Sequence, residues 1–303
     1  MIDVLILGGG PAGYTAALYA ARAGLATTVV ERMSAGGQMT LTGDIENYPG
    51  LVSVDGFTLG MQMQQGAEAF GAATHYAEVT SVELEGECKR VFTTDGVLEA
   101  RTVIVATGAN PRPLGLPSEA DWIGNGVHYC AHCDGRFYKD KTVAVIGGGN
   151  SAVSDALYLS RICKTVYLVH RRRELRAAKV YHEALFAAPN VEIVWEHTVK
   201  ELLTTDRLTG IRLASTVDNT EKALPCDGVF VSIGREPVTA FLNGALPTDE
   251  HGYLMADETT QTPVRGVFAA GDVRRKALRQ IVTATADGAV AAHFAGDYLE
   301  KHG

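Results

Sequence analysis

The chain has 303 residues, enough for two domains of ordinary size, and its 46% hydrophobic and 20% charged content excludes a disordered or fibrous protein. A net charge of −8 argues against nucleic acid or an anionic membrane surface as partner. Five cysteines are too few, and odd in number, for a disulfide scaffold, and no apolar run approaches the ~18 residues of a membrane span. The opening stretch MIDVLILGGG carries Asp3 and runs at once into glycines, without a basic segment or a cleavage site. It therefore reads as a strand and not as a secretion signal, and a cytoplasmic location is expected.

In chain order, IDVLIL (2–7) has the short apolar run of a buried parallel strand. GGGPAG follows, then a helical stretch, YTAALYAARAGL, closing on Gly24, and then a second strand, TTVVE. The order returns from residue 142 as TVAVIG, GGGNSA, VSDALYLSRIC and TVYLVH. Strand, glycine turn, helix and parallel strand make the unit that binds a dinucleotide. Each copy continues through a turn-rich β stretch, with a hairpin at Asp95-Gly96 in the first. Each ends on a strand, TVIVATGANP in the first and GVFVSIGREP in the second. A further strand, GVFAAGDV (266–273), has too little chain behind it to start a third domain. The fold expected is α/β, with two Rossmann-like dinucleotide-binding domains of the three-layer ββα kind, the second inserted into the first. The segments are 1–112, 113–237 and 238–303, with Pro- and Gly-bearing crossovers at NPRPLGLP and GREP.

The two turns point to different nucleotides. In the first, Gly8 permits the tight bend, Gly10 admits a pyrophosphate, and Gly13 lets helix pack on strand, with Pro11 and Ala12 opening the helix. Glu31 ends the next strand about 20 residues on, where a carboxylate accepts from ribose hydroxyls and repels a 2′-phosphate. The second turn holds Gly147, Gly149, Asn150, Ser151 and Ala152. Its following strand ends in HRRRELRA, where His170, Arg171, Arg172 and Arg176 replace the acid and suit the 2′-phosphate of NADPH.

HYCAHCDG (128–135) puts two histidines and two cysteines within six residues. Taken alone it fits a metal site, a static disulfide or a redox dithiol. Zinc needs about four ligands; His128, Cys130, His132 and Cys133 supply that number, but they are crowded and have no second cysteine pair. With two nucleotide sites in one chain, a dithiol completes an electron path. Nicotinamide delivers hydride, which cysteines do not accept directly, so a flavin is needed between them and the first nucleotide is FAD. Cys88, Cys163 and Cys226 are expected to be buried.

GGGPAGYTAALYAARAGL, GGQ, ENYPG, CAHCDG, GGGNSAV, HRRRELRA and AAGDVRRKALRQIVTATADGAVAA together resemble the low-molecular-weight thioredoxin reductases, class-II pyridine nucleotide-disulfide oxidoreductases, over essentially the whole chain. The resemblance implies FAD contacts at Gly8 to Gly13, Glu31, Arg32, Gly36, Gly37, Gln38, Asn47, Thr107, Gly108, Gly271, Asp272, Arg279, Gln280 and Ile281. Gln280 stands before a predicted helix over 281–301, whose positive end favours an anionic reduced flavin. The resemblance further implies a Cys130–Cys133 disulfide that flavin reduces, with Cys133 facing the flavin, Cys130 attacking thioredoxin, and Asp134 as acid–base residue. Asp134 as a helix N-cap is the structural alternative. Rotation of one domain against the other about hinges near 110–117 and 234–238, and a homodimer, are implied in the same way. A flavin-dependent dithiol oxidase and a ferredoxin-linked reductase remain alternatives; the three arginines argue against both. His132 stands where the family carries threonine: a protonated imidazole there would make the pair more oxidising, and an exposed neutral ring would not. Arg274 to Lys276 read either as solvated cations or as a thioredoxin-docking patch.

Overall fold

The structure is a computed structural model describing residues 1–42 and 44–302; Gly43, and Gly303 at the end of the expected third segment, lie outside the described residues. The chain divides into two compact units, one of Met1–Leu41, Ile45–Asn110 and Glu236–Gly303, the other of Thr42–Asp44 and Pro111–Arg235.

The first unit starts with β1 (Ile2–Leu7), α1 (Pro11–Arg22) and β2 (Thr27–Glu31). It continues with α2 (Gly56–Glu68), β3 (Ala73–Tyr76), β4 (Val79–Glu83), β5 (Lys89–Thr93), β6 (Gly96–Val105) and β7 (Ala109–Pro111). The strands line up as β3-β2-β1-β6-β5-β4, parallel from β3 to β6 and antiparallel beyond. Val4, Leu5, Ile6 and Leu7 of β1 have no exposed surface, which is why this central strand is apolar on both faces. Each such side chain contributes about 1.5–3 kcal/mol by leaving water.

The second unit opens with β8 (Val127–His128), the single-turn α3 (Ala131–Asp134), β9 (Thr142–Ile146), α4 (Asn150–Leu159), β10 (Thr165–His170), α5 (His182–Ala187) and β11 (Val191–Trp195). An antiparallel ribbon follows, β12 (His197–Thr204), β13 (Leu208–Ser215) and β14 (Glu221–Pro225). β15 (Gly228–Val231) returns to the parallel sheet, ordered β11-β10-β9-β15-β8, and β16 (Arg235–Pro237) leaves it. Glu119 ties down the incoming crossover: its carboxylate accepts from the amides of Leu114 and Gly115, both at 2.8 Å, and from the Tyr129 hydroxyl at 2.5 Å.

β17 (Val267–Ala269) lies parallel to β6 in the first unit's sheet, with Val267 opposite Val103, and α6 (Ile281–His302) closes the chain. α6 meets α1 backbone to backbone, since a Cβ added to Gly288 would stand 2.2 Å from the Ala12 carbonyl oxygen. Ala12, Ala16, Ala17, Ala291, Ala292 and Ala295 make that approach possible. One hydrophobic cluster joins α1, beside the first glycine turn, to α6 of the C-terminal segment. Among the described residues, no helix is long and apolar enough to cross a membrane.

Candidate functional site

The first glycine turn is shaped by contact. A Cβ on Gly13 would fall 1.8 Å from the Gly8 oxygen, so only glycine lets α1 start this close to β1. Gly10, the residue that precedes α1, has open space beside it, and α1 has no side-chain cap and no acid in its first turn. Its first amides and its positive dipole end are thus left for an anion. Glu31 holds the turn: Oε2 accepts from the Gly9 amide at 2.7 Å and Oε1 from Met33 at 3.0 Å. Arg32 lies 3.8 Å from Glu78 on the surface.

The other residues matched to flavin contacts gather in the same unit. The Gly36 amide donates to the Gly9 oxygen at 2.8 Å, Gly37 packs toward Gly10, and Gln38 donates to Asn110 at 2.8 Å. Asn47 donates to the Gln280 side chain at 3.2 Å, although 233 residues separate them in sequence. The Thr107 hydroxyl donates to the Val238 oxygen at 2.7 Å, and Gly108 accepts from the Val238 amide at 3.0 Å. Gly271 stands against Ala12, next to Asp272, while Ile281 begins α6. The Arg279 guanidinium stacks 3.9 Å above the Tyr253 ring and donates to the Asp272 and Arg274 carbonyls. Arg274 and Lys276, read from the sequence as solvated or docking cations, are instead drawn inward. Lys276 Nζ lies 2.8 Å from Asp287, which also holds Arg274 at 3.5 Å and accepts from the Gly271 amide at 2.9 Å. That carboxylate makes burying both cations affordable.

In the second unit Gly147 is as confined as Gly13, its added Cβ falling 2.4 Å from the Ser232 oxygen, while Gly149 has open space beside it. α4 also starts with no side-chain cap and no acid in its first turn. Ala152 is fully buried beneath the turn, Ser151 is exposed, and Asn150 accepts from the Ala178 amide at 2.8 Å. His170 is packed under the turn: a Cβ on Gly148 would lie 2.2 Å from its Nδ1, and its Nε2 is 3.0 Å from the Glu174 oxygen. Burial, then the charges of Arg176, Arg172 and Arg171, lower its pKa, which keeps the ring neutral. Arg173 is committed to Glu196 at 2.8 Å. Arg171, Arg172 and Arg176 are exposed and form no ion pair among the described residues.

Cys130 and Cys133 are disulfide-bonded, with an S–S distance of 2.07 Å. Cys130 precedes α3, and its sulfur accepts from the Cys133 amide at 3.2 Å. The N-cap alternative for Asp134 fails, because Asp134 ends α3 and its side chain caps no helix. Its buried carboxylate meets His128 instead, Oδ2 to Nδ1 at 3.1 Å. His128 also contacts the Tyr138 hydroxyl at 2.7 Å. Among the described residues no group of three or more His, Cys, Asp or Glu is placed to hold a metal ion.

His132 is exposed, its ring 4.1 Å from Tyr158 of α4. The same helix carries Asp155, whose carboxyl is pushed up by burial against the lowering effects of the Ser232 hydroxyl, at 2.5 Å, and of His132. Sequence reasoning missed His128 as a partner of Asp134, and missed Tyr138, Asp155 and Asp287 altogether; only the two histidines beside the cysteines signalled anything there. Cys163 and Cys226 are buried, their thiols pushed up to about 11 and about 12 by burial, whereas Cys88, expected inside, is half-exposed on the turn before β5.

A sequence model of the pyridine nucleotide-disulphide oxidoreductase family matches residues 2–288. The chain is 46% identical over 301 residues to a thioredoxin reductase of Listeria monocytogenes, covering 99% of this chain and 94% of the relative. It is 43% identical over 300 residues to a thioredoxin reductase of Bacillus subtilis, covering 99% and 95%. The crystal structure of thioredoxin reductase from Streptococcus pyogenes superposes with a TM-score of 0.92 at 43% identity, covering 99% of each chain.

Proposed function

This chain belongs to the pyridine nucleotide-disulphide oxidoreductase family, among its thioredoxin reductases, and from that premise we propose that it passes electrons from NADPH through FAD and Cys130–Cys133 to the disulfide of a thioredoxin. One observation carries this reading. A disulfide is built into the same unit as a dinucleotide turn whose adjoining strand is followed by three arginines that form no ion pair among the described residues. The open, uncapped start of α1 at Gly10 fits the pyrophosphate of FAD. Glu31, Gly36, Gly37, Gln38, Asn47, Thr107, Gly108, Asp272, Arg279 and Gln280 are assigned to the remainder of that cofactor. NADPH is assigned to Gly147–Ala152, with Arg171, Arg172 and Arg176 on the 2′-phosphate and His170 as the neutral floor of the turn.

Held by the residues assigned to it, FAD would supply the chemistry that couples hydride from NADPH to two-electron reduction of the disulfide. Opening the Cys130–Cys133 bond leaves two sulfur anions, one of which takes a proton from Asp134. Cys130 then attacks a sulfur of the thioredoxin disulfide, whose second sulfur leaves as a thiol after protonation. Cys133 attacks Cys130 in the mixed disulfide, re-forms the internal bond and releases reduced thioredoxin. One NADPH and one proton are consumed per disulfide reduced. We assign the enzyme to the cytoplasm, where thiols are kept reduced, and to a homodimer.

The test is an anaerobic titration of the yellow holoenzyme with NADPH and, separately, NADH. The expected result is bleaching by NADPH in preference to NADH, with electrons then passing to oxidised thioredoxin. Bleaching by neither would overturn the reading in favour of a ferredoxin-linked enzyme or a dithiol oxidase.

A further inference from the structure

Two residues before Cys130, at the end of β8, His128 is enclosed with its side chain 3% exposed. Its ring stacks on Phe230 of β15 at 5.2 Å and 27° and meets Tyr138 edge-on at 5.2 Å. Nε2 is 2.7 Å from the Tyr138 hydroxyl, and Nδ1 is 3.1 Å from Asp134 Oδ2, out of line for a full hydrogen bond. Burial first, and then the negative charge of Asp134, hold the Tyr138 hydroxyl protonated well above the ordinary tyrosine range. Where the Tyr138 hydroxyl donates to Nε2, the neutral ring carries its hydrogen on Nδ1, on the side of Asp134. The remaining titratable groups bearing on Tyr138 are Cys226, Asp227 and Cys163.

We infer that His128, held by Tyr138, is a positioning residue that orients the Asp134 carboxyl and stabilises it as an anion once it has protonated a sulfur of the opened Cys130–Cys133 pair. The step is complete in atoms and charge. The S–S bond takes up two electrons, one sulfur takes the Asp134 proton, the other stays a thiolate, and solvent returns the proton to Asp134. The carboxylate formed meanwhile is buried, and a buried carboxylate needs a donor. His128 Nδ1, 3.1 Å from Oδ2, is a buried polar atom with no full hydrogen bond of its own. The inference rests on reading Asp134 as the acid beside the pair.

The test compares His128→Phe, which keeps a ring against Phe230, with His128→Asn, which returns an N–H near the place of Nδ1, and with Asp134→Asn, all as holoenzymes. Two turnovers are followed from pH 5.5 to 9.5: reduction of thioredoxin, which needs the disulfide, and reduction of ferricyanide, which draws on the flavin alone. We expect His128→Phe to slow thioredoxin turnover about ten-fold or more, part of the ~10²–10⁴ that general acid catalysis supplies. Its pH profile should move, KM for thioredoxin and ferricyanide turnover should hold, and His128→Asn should restore most of the rate. In the Asp134→Asn background, His128→Phe should cost nothing further. The dithiothreitol-reduced protein, alkylated with iodoacetamide across the same pH range, should show a displaced midpoint for Cys130 in His128→Phe. A full-rate His128→Phe with an unmoved profile would overturn the inference, as would an equal loss of both turnovers or an additive loss on top of Asp134→Asn. Failure of the parent reading has its own mark, a full-rate Asp134→Asn.

Discussion

Arg171, Arg172 and Arg176 carry charge that no acid among the described residues takes up, while their neighbour Arg173 is spent on Glu196. A phosphate dianion on such forks gains charge-assisted bonds worth about 1.5–3 kcal/mol each. Replacing any one of the three by alanine should therefore raise KM for NADPH about ten-fold or more and leave KM for NADH unmoved; steady-state ferricyanide reduction with each nucleotide measures this. His170 makes a prediction of opposite character. Its native pKa lies below its unfolded value of about 6.5, so above that pH both states are neutral and the full stability is present. As pH falls through 6.5 the unfolded chain takes a proton that the native ring refuses, and stability declines. Urea midpoints between pH 7.5 and 5.5 should fall less in His170→Gln than in the parent; an equal fall would show that the ring is not held neutral.

At the scale of elements, each nucleotide turn combines confined glycines with an open one, Gly10 in the first and Gly149 in the second, and these separate folding from binding. At Gly13 an added methyl collides with the Gly8 backbone 1.8 Å away, and backbone cannot swing aside. Gly13→Ala should thus cost about 3 kcal/mol and lower the flavin content of the purified protein, read from the ratio of absorbance at 450 to 280 nm. Gly149 has open space and an ordinary φ of −92°. Gly149→Ala should keep the parent Tm and weaken NADPH binding alone, because the methyl occupies the space a pyrophosphate needs. A Tm drop at Gly149 would show that this turn, too, is built for packing. β1, β2, β9, β10, β15, β17, α1, α4 and α6 follow directly from apolar runs and glycine punctuation. The single-turn α3 carried no such signal, since four residues are too few for a period to show.

At the scale of the molecule, two units with separate cores predict unfolding that is not two-state. FAD should raise one calorimetric transition and NADP⁺ the other, each by about 2.7 kcal/mol at ~100 times its dissociation constant. A single transition moved by both ligands would contradict separate sites. The repeated strand–glycine–helix order, the acid at Glu31 against the arginines after His170, and the Cys-x-x-Cys pair were determined by sequence alone, because each depends on neighbours within one short stretch. Tertiary structure decided the rest. It seated His170 under Gly148, joined Asn47 to Gln280, folded Arg274 and Lys276 onto Asp287, and set Asp134 against His128. In each of these the deciding quantity is whether a charged or polar group finds its partner before it finds water. That depends on which faces of distant elements are packed together, and no local pattern records it.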